Sequence, residues 1–224
     1  MSMIWTIPNI LTVFRLFVTL LLGLFFVFLP RPYADIAALI CFTLAAMTDW
    51  FDGYLARRLG QTSKMGAMLD PIADKALVLV TCLSLARYST IAPIFLLSPM
   101  IFIVFREVFV AGIREFLGQA SAGLQVTRIA KYKTAFQLLS LGLLLGYGVA
   151  EHYFVERVHG MSEEIVMQLL AENDKEAFGV RFWFWLMQGA AWSGLITLWA
   201  AAVLTVVSGI DYFRKAVPQL KEMP

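Results

Sequence analysis

The sequence has few of the residues that keep a protein soluble: 15% of its 224 residues are charged and 60% are hydrophobic. One core cannot hide so much apolar side chain, which excludes water as the main solvent. A net charge of +2, without a basic stretch interleaved with aromatic residues, excludes the nucleic-acid-binding class. The two cysteines lie in separate apolar runs, which excludes a disulfide framework and a cysteine metal site.

Several uninterrupted apolar runs reach the roughly 20 residues that a helix needs to cross a bilayer. A run such as 16–29 does not alternate in polarity, as a membrane β-strand would. The sequence therefore predicts an all-α integral membrane bundle of about six transmembrane helices. The predicted spans cover residues 10–29, 34–58, 67–87, 91–113, 129–150 and 184–208.

Two connections between the spans are short, at about 30–33 and 88–90, so the helices that they join are expected to pack antiparallel. We predict a single transmembrane domain over residues 1–224. The longest connection, at about 151–182, is rich in Asp and Glu. Its pattern favours a short amphipathic surface helix within 161–177.

Basic residues mark the cytoplasmic side of a membrane protein. They gather between spans two and three, between spans four and five, and after span six. These places share one side of the membrane if the six spans alternate. We therefore expect both termini in the cytoplasm and the acidic segment 151–182 on the opposite side.

Four aspartates stand at the predicted cytoplasmic ends of two consecutive spans: Asp49, Asp52, Asp70 and Asp74. An ionised carboxylate at membrane depth costs roughly a few kcal/mol, so four of them need strong compensation, which a cation can provide. The members of each pair are three or four residues apart and share one face of their helix. If the two helices pack side by side, all four carboxylates can face one pocket.

The acids form a set of hard oxygen ligands with no His or Cys nearby, which favours Mg²⁺ or Mn²⁺ over Zn²⁺. Four carboxylates suit two such ions better than one. Two ions can clamp the attacking and leaving oxygens of a phosphoryl displacement. The sequence therefore predicts a site for two Mg²⁺ ions, with Mn²⁺ as an alternative.

Small residues and one arginine follow the first acid pair. Gly53 and Ala56 leave a helix face without bulk, so an anionic ligand can approach the backbone, and Arg57 offers a fork for phosphate oxygens. Alone, such a small pair is more often a helix-packing notch, and a lone Arg at a helix end more often extends to the membrane surface. Their fixed register with the acids favours a ligand site.

The stretch from Asp49 to Asp74 resembles the signature of the CDP-alcohol phosphotransferase family, Asp-x2-Asp-Gly-x2-Ala-Arg-x8-Gly-x3-Asp-x3-Asp, at every fixed position and spacing. Segments 7–15, 106–115 and 131–134 are similar to those of bacterial members that use CDP-diacylglycerol and glycerol 3-phosphate. The resemblance implies phospholipid synthesis with release of CMP at the cytoplasmic face of a bacterial inner membrane. It also implies a homodimer.

The resemblance further implies a role for each motif residue. Asp49, Asp52 and Asp70 would bind one Mg²⁺ ion. Asp49, Asp70 and Asp74 would bind the second, with Asp74 also the base for the acceptor hydroxyl. Residues of the motif and of the first span would hold CDP-diacylglycerol: Thr12, Arg15, Gly53, Ala56, Arg57, Ser63 and Gly66.

Four basic residues lie at the predicted cytoplasmic ends of spans four and five: Arg106, Arg114, Lys131 and Lys133. Because a phosphorylated alcohol needs converging cations, we expect them to bind the acceptor phosphate. The alternative is structural, since Arg106 can pair with the adjacent Glu107 and Lys133 can mark topology.

Other functions stay open on the sequence alone. The same chemistry can use phosphatidylglycerol, inositol phosphate or serine as the acceptor. An ion or proton transporter also carries intramembrane acids, but it is expected to place polar residues near the midplane and often to have repeated halves. A membrane scaffold needs no fixed register of acids. The position of the acids at one end of two helices favours the enzyme.

Overall fold

The computed structural model describes residues 7–59, 64–118, 128–171 and 177–221, which contain helices and no strand. The predicted all-α class is confirmed. These ranges form seven helices: α1 (Ile7–Phe28), α2 (Tyr33–Leu59), α3 (Lys64–Tyr88), α4 (Pro93–Leu117), α5 (Arg128–Val158), α6 (Glu163–Ala171) and α7 (Phe178–Lys221).

Each of the six predicted spans corresponds to one long helix, and α6 lies in the segment predicted to form a surface helix. Within the described residues, α1, α4, α5 and α7 are long and apolar enough to cross a membrane. Within α2 the described side chains include the apolar stretch Tyr33–Thr48. α3 begins with the second half of that motif.

Two helices extend beyond the predicted ends. α5 continues to Val158, and α7 begins at Phe178 and continues to Lys221, so the segment 151–182 is not a single connection. The predicted ends were placed where the apolar runs stop. The added turns still bury some side chains, such as Tyr212 and Ala216 in α7, and this burial stabilises them as helix.

The chain divides into two compact units. Unit 1 comprises Met1–Ser89 and Leu141–Ser193, and unit 2 comprises Thr90–Ser140 and Gly194–Pro224. α5 and α7 therefore contribute residues to both units. The single domain over residues 1–224 stays a prediction.

In unit 1, α1 packs against both α2 and α3. Ala34, Ala38 and Ala45 are fully buried in α2, and small residues of this kind let membrane helices approach closely. Gly23 does the same between α1 and α3, because a Cβ atom there would lie 2.9 Å from Cγ1 of Val80. These contacts fix α1 beside α3, which carries two of the motif acids.

A partly buried ion cluster lies in unit 1 near the end of α1. Arg31, in the connection between α1 and α2, donates from Nε to Oδ2 of Asp35 at 2.7 Å and from Nη2 to Oε2 of Glu151 at 3.3 Å. Tyr147 donates its hydroxyl to Oε1 of Glu151 at 2.8 Å. Burial lowers the pKa of Arg31, but the hydrogen bonds and charges of Asp35 and Glu151 outweigh burial and raise this pKa above its ordinary value.

Unit 2 contains α4, the first part of α5 and the second part of α7. Its apolar core includes Ile103 of α4 and Leu198 of α7, both fully buried. Trp199 of α7 donates from Nε1 to the carbonyl of Phe95 in α4 at 3.1 Å. Gly118, with φ of 51°, ends α4 and donates its backbone N–H to carbonyls of the last turn.

Candidate active site

The second acid pair of the motif lies in the first half of α3. Asp70 and Asp74 are one helical turn apart, and both are exposed. Pro71 lies between them within the helix and lacks the N–H that would bond to the carbonyl of Ala67. The two carboxylates therefore project from one face of α3, next to a point where one backbone hydrogen bond of the helix is missing.

A polar face of α1 meets this acid pair. Thr12 donates from Oγ1 to Oδ1 of Asp70 at 2.8 Å, and Arg15 donates from Nη1 to Oδ1 of Asp74 at 2.5 Å. The three-residue spacing on α1 matches the four-residue spacing on α3, so Thr12 donates to one acid and Arg15 to the other. Thr12 and Arg15 were predicted on the donor side of the site, and the structure brings both to the motif acids.

The exposure of the two ionic partners differs sharply. The side chain of Arg15 is 1% exposed, whereas that of Asp74 is 57% exposed. Arg15 thus holds Asp74 from the buried side and leaves much of the carboxylate accessible. A guanidinium buried in a membrane helix bundle requires such an acid partner, because an unpaired charge there is costly.

The rest of the motif is described in part. Asp49, Asp52, Gly53, Ala56 and Arg57 lie in α2, which contacts both α1 and α3, but their side chains lie outside the described residues. Ser63 lies outside them altogether. Gly66 is buried in the first turn of α3.

The acids in α3 fit a magnesium ion by the chemistry of their donors. A carboxylate offers two oxygens with about four acceptor positions, so the single bond from Thr12 is compatible with a cation at Asp70. Within the described side chains, no group of three His, Cys, Asp or Glu residues comes together. The fit therefore depends on α2 for the remaining two acids.

A second polar cluster lies in unit 2. Oε1 of Glu107 accepts a hydrogen bond from Nζ of Lys133 and another from Nη1 of Arg106 at 3.4 Å. The side chains of Arg106, Glu107 and Lys133 are 13%, 14% and 6% exposed. The guanidinium carbon of Arg114, which is exposed, lies 5.2 Å from the ring centroid of Tyr212.

This arrangement joins the two sequence-based interpretations of the basic residues. Arg106 pairs with Glu107, as the structural alternative expected, and Lys133 shares the same carboxylate. Arg114 nevertheless interacts electrostatically with both Arg106 and Lys133, so three cations share one acid, and the excess of positive charge suits an anion. The side chain of Lys131 lies outside the described residues.

Sequence reasoning missed Tyr212 and the shared role of Glu107. An Arg-Glu pair within a helix gives no sign that a lysine of another helix also reaches the acid. Tyr212 lies in the charged stretch Asp211 to Lys215, after the predicted end of the last span. Its only signal was the helical spacing of three residues from Gly209, a small residue that permits close packing.

The chain belongs to the CDP-alcohol phosphatidyltransferase family, whose sequence model matches residues 5–168. It is thus a membrane transferase of a class that is generally metal-dependent.

Several relatives match this chain over nearly its full length. A CDP-diacylglycerol–glycerol-3-phosphate 3-phosphatidyltransferase of Cereibacter sphaeroides is 45% identical over 219 residues, covering 97% of this chain and 98% of the relative. Enzymes of the same name from Pseudomonas fluorescens and Rickettsia bellii are 34% and 32% identical. They cover 96% and 93% of this chain, and 92% and 93% of their own length.

Proposed function

We propose that this protein transfers the phosphatidyl group of CDP-diacylglycerol to glycerol 3-phosphate, forming phosphatidylglycerophosphate and CMP. The observation that carries the proposal is the full-length similarity to enzymes named for that reaction. The cation-rich cluster of Arg106, Arg114 and Lys133 supports a phosphorylated acceptor, because a phosphate monoester needs several converging donors.

The proposed cofactor is a pair of Mg²⁺ ions held by the motif acids, with Mn²⁺ as a substitute. Asp49, Asp52 and Asp70 would hold one ion, and Asp49, Asp70 and Asp74 the other. When bound, the ions supply positive charge that stabilises the negative oxygens of a phosphoryl displacement. The exposed carboxylates of Asp70 and Asp74 support this assignment.

Asp74 is the proposed general base. The acceptor hydroxyl attacks the β-phosphorus of CDP-diacylglycerol, its proton passes to Asp74, and the bond between that phosphorus and the CMP oxygen breaks. A base must reach its proton and be held in position. Asp74 is accessible, and Arg15 anchors one of its oxygens at 2.5 Å.

The donor and acceptor are assigned to different groups of residues. The donor's cytidine diphosphate portion is assigned to residues of α1 and of the motif: Thr12, Arg15, Gly53, Ala56, Arg57, Ser63 and Gly66. The acceptor phosphate is assigned to Arg106, Arg114 and Lys133, together with Lys131.

The proposed location is a bacterial inner membrane, with both termini and the motif acids in the cytoplasm and α6 on the other side. The distribution of Lys and Arg supports this orientation. We expect cysteines introduced at positions 60 and 120 to react from the cytoplasm, and one at position 165 only from outside. Labelling of position 165 from the cytoplasm would overturn the orientation.

A homodimer is also proposed, and the mass of the protein in detergent would test it.

A purified preparation tests the reaction directly. CMP release should require CDP-diacylglycerol and glycerol 3-phosphate, and a chelator should abolish it until Mg²⁺ or Mn²⁺ is restored. Phosphatidylglycerol, inositol phosphate, serine and glycerol serve as competing acceptors in parallel reactions. Faster CMP release with any of these than with glycerol 3-phosphate would contradict the proposed acceptor.

A further inference from the structure

Four buried polar atoms of unit 2 have no hydrogen-bond partner within the part of the chain that the structure describes: Nε of Arg106, Oγ1 of Thr205, the hydroxyl oxygen of Tyr212 and Oε1 of Gln219. Two of these atoms belong to residues that interact with each other, Arg106 and Tyr212. Tyr212 is 7% exposed, so water has little access to it. Buried polar atoms are nearly always hydrogen-bonded. Two unbonded atoms on neighbouring residues, Arg106 and Tyr212, therefore indicate a partner that is absent from the described chain.

Nε of Arg106 belongs to the cation-rich cluster, and the Tyr212 hydroxyl belongs to a residue that contacts this cluster. Arg106 interacts electrostatically with Glu107, Arg114 and Tyr212. Lys133 interacts with Glu107, Arg106 and Arg114. The guanidinium carbon of Arg114 lies 5.2 Å from the ring centroid of Tyr212. The tyrosine therefore lies among the cations that we assign to the acceptor phosphate.

α7 is shaped to bring Tyr212 to Arg106. A Cβ atom at Gly209 would lie 3.0 Å from Cγ of Arg106, so the backbone of α7 passes close to that side chain. Gly209 and Tyr212 are three residues apart and share one face of the helix. Gly209 permits the backbone of α7 to approach Arg106, and Tyr212 lies one turn further on the same face of α7.

A purely structural role does not account for the hydroxyl. The stack of Arg114 on the ring needs the aromatic face and not the oxygen. Tyr147 shows what a structural tyrosine does in this chain, because its hydroxyl donates to Glu151 at 2.8 Å. The Tyr212 hydroxyl and the Arg106 Nε–H group are instead two donors beside an excess of positive charge. The ligand that satisfies both is an anion with several acceptor oxygens, such as a phosphate monoester.

We infer that Tyr212 is a specificity-determining residue whose hydroxyl donates a hydrogen bond to the phosphate of the acceptor, next to Nε of Arg106. The inference rests on the proposed function for the identity of the acceptor. The cations attract the negative charge of the phosphate. The Tyr212 hydroxyl, a neutral donor of fixed position, adds a hydrogen bond that requires a phosphate oxygen at one particular place. The residue thereby helps to select a phosphorylated alcohol over a free one.

The test is the variant Tyr212→Phe, which removes the hydroxyl and keeps the ring. A hydrogen bond to a charged group corresponds to an effect of about 10- to 100-fold. We expect the KM for glycerol 3-phosphate to rise by about that factor, while the KM for CDP-diacylglycerol stays within about twofold. Thermal unfolding should occur at the same or a higher temperature, because the lost hydroxyl has no partner within the described chain.

Tyr147→Phe is the matched control. It also removes one buried hydroxyl, but this one is bonded to Glu151 in unit 1. It should lower the unfolding temperature and leave both KM values unchanged. Equal acceptor KM values for Tyr212→Phe and the wild type would overturn the inference, as would a lower unfolding temperature without any change in KM.

Calorimetric titration with inorganic phosphate separates this inference from the proposed reaction. Wild-type protein and Tyr147→Phe should bind phosphate about equally, and Tyr212→Phe about tenfold or more weakly. If the wild type fails to use glycerol 3-phosphate, the proposed function falls, and the phosphate titration still decides the role of Tyr212. Equal phosphate affinity in all three proteins, or no binding at all, would overturn the inference.

Discussion

Two ion pairs at opposite ends of α1 in unit 1 place their charges in opposite ways. Near the start of α1, Arg15 is 1% exposed and its partner Asp74 has a side chain that is 57% exposed. Beyond the end of α1, Asp35 is 4% exposed and its partner Arg31 is more accessible. One pair buries the base and presents the acid, and the other buries the acid.

We propose that this difference separates a structural charge from a reactive one. Asp35 is covered by Arg31, and Gly148 leaves room for it, because a Cβ atom there would lie 2.8 Å from Oδ1 of Asp35. Such an acid is committed to the fold. Asp74 bonds to Arg15 and keeps a side chain that is 57% exposed, which suits its proposed roles as metal ligand and base.

The largest effect that would test this contrast is expected from Asp74→Asn. The change keeps the shape and removes the charge, so turnover should fall by about 10³-fold or more, equivalent to about 4 kcal/mol of transition-state stabilisation. The unfolding temperature should fall as well, because the buried Arg15 loses the charge of its partner. CMP release and thermal unfolding measure the two quantities. Near-normal turnover would remove Asp74 from the chemistry.

Asp35→Asn should lower stability and leave turnover unchanged. Loss of one partner from a buried ion pair destabilises a protein by about 3–5 kcal/mol, and we expect about 2–3 kcal/mol here because Arg31 is partly exposed and keeps Glu151. Activity per folded molecule should stay unchanged. Denaturant unfolding in detergent measures the loss of stability. A loss of turnover without a loss of stability would erase the contrast between the two ends.

A smaller effect should separate the acceptor side from the donor side. Arg114→Ala is expected to raise the KM for glycerol 3-phosphate by about 10-fold, near 1.4 kcal/mol, and to change the KM for CDP-diacylglycerol much less. Arg57→Ala, assigned to the donor diphosphate, should show the opposite bias. Steady-state kinetics with each substrate varied in turn measures both. If Arg106, Arg114 and Lys133 can all be replaced without effect on the acceptor, they are structural.

The helices were largely predictable from the sequence, and their ends were not. Long apolar runs dictate membrane helices because the bilayer offers no partner for an unpaired backbone group. The ends of α5 and α7 follow a different rule, since helix hydrogen bonds continue wherever a turn still buries one face. Tyr212 and Ala216 extend α7 in this way, and no hydropathy window contains that information.

The candidate site was predictable where it is local in the sequence. The spacing of Asp70 and Asp74 alone places them on one face of α3. Their partners are set by helix packing: the contacts of Thr12 and Arg15 join residues 58 and 59 positions apart. The resemblance to a family supplied those two residues, whereas spacing could not. Tyr212 had neither source of information.

Binding of Mn²⁺, measured by electron paramagnetic resonance, tests the assignment of the exposed acids most directly. Wild-type protein and Asp35→Asn should each bind two ions per chain, because Asp35 belongs to the fold. Asp74→Asn should lose one ion and keep the other, which Asp49, Asp52 and Asp70 are proposed to hold. Two ions in Asp74→Asn, or a loss of ions in a folded Asp35→Asn, would contradict the division between a structural and a reactive end.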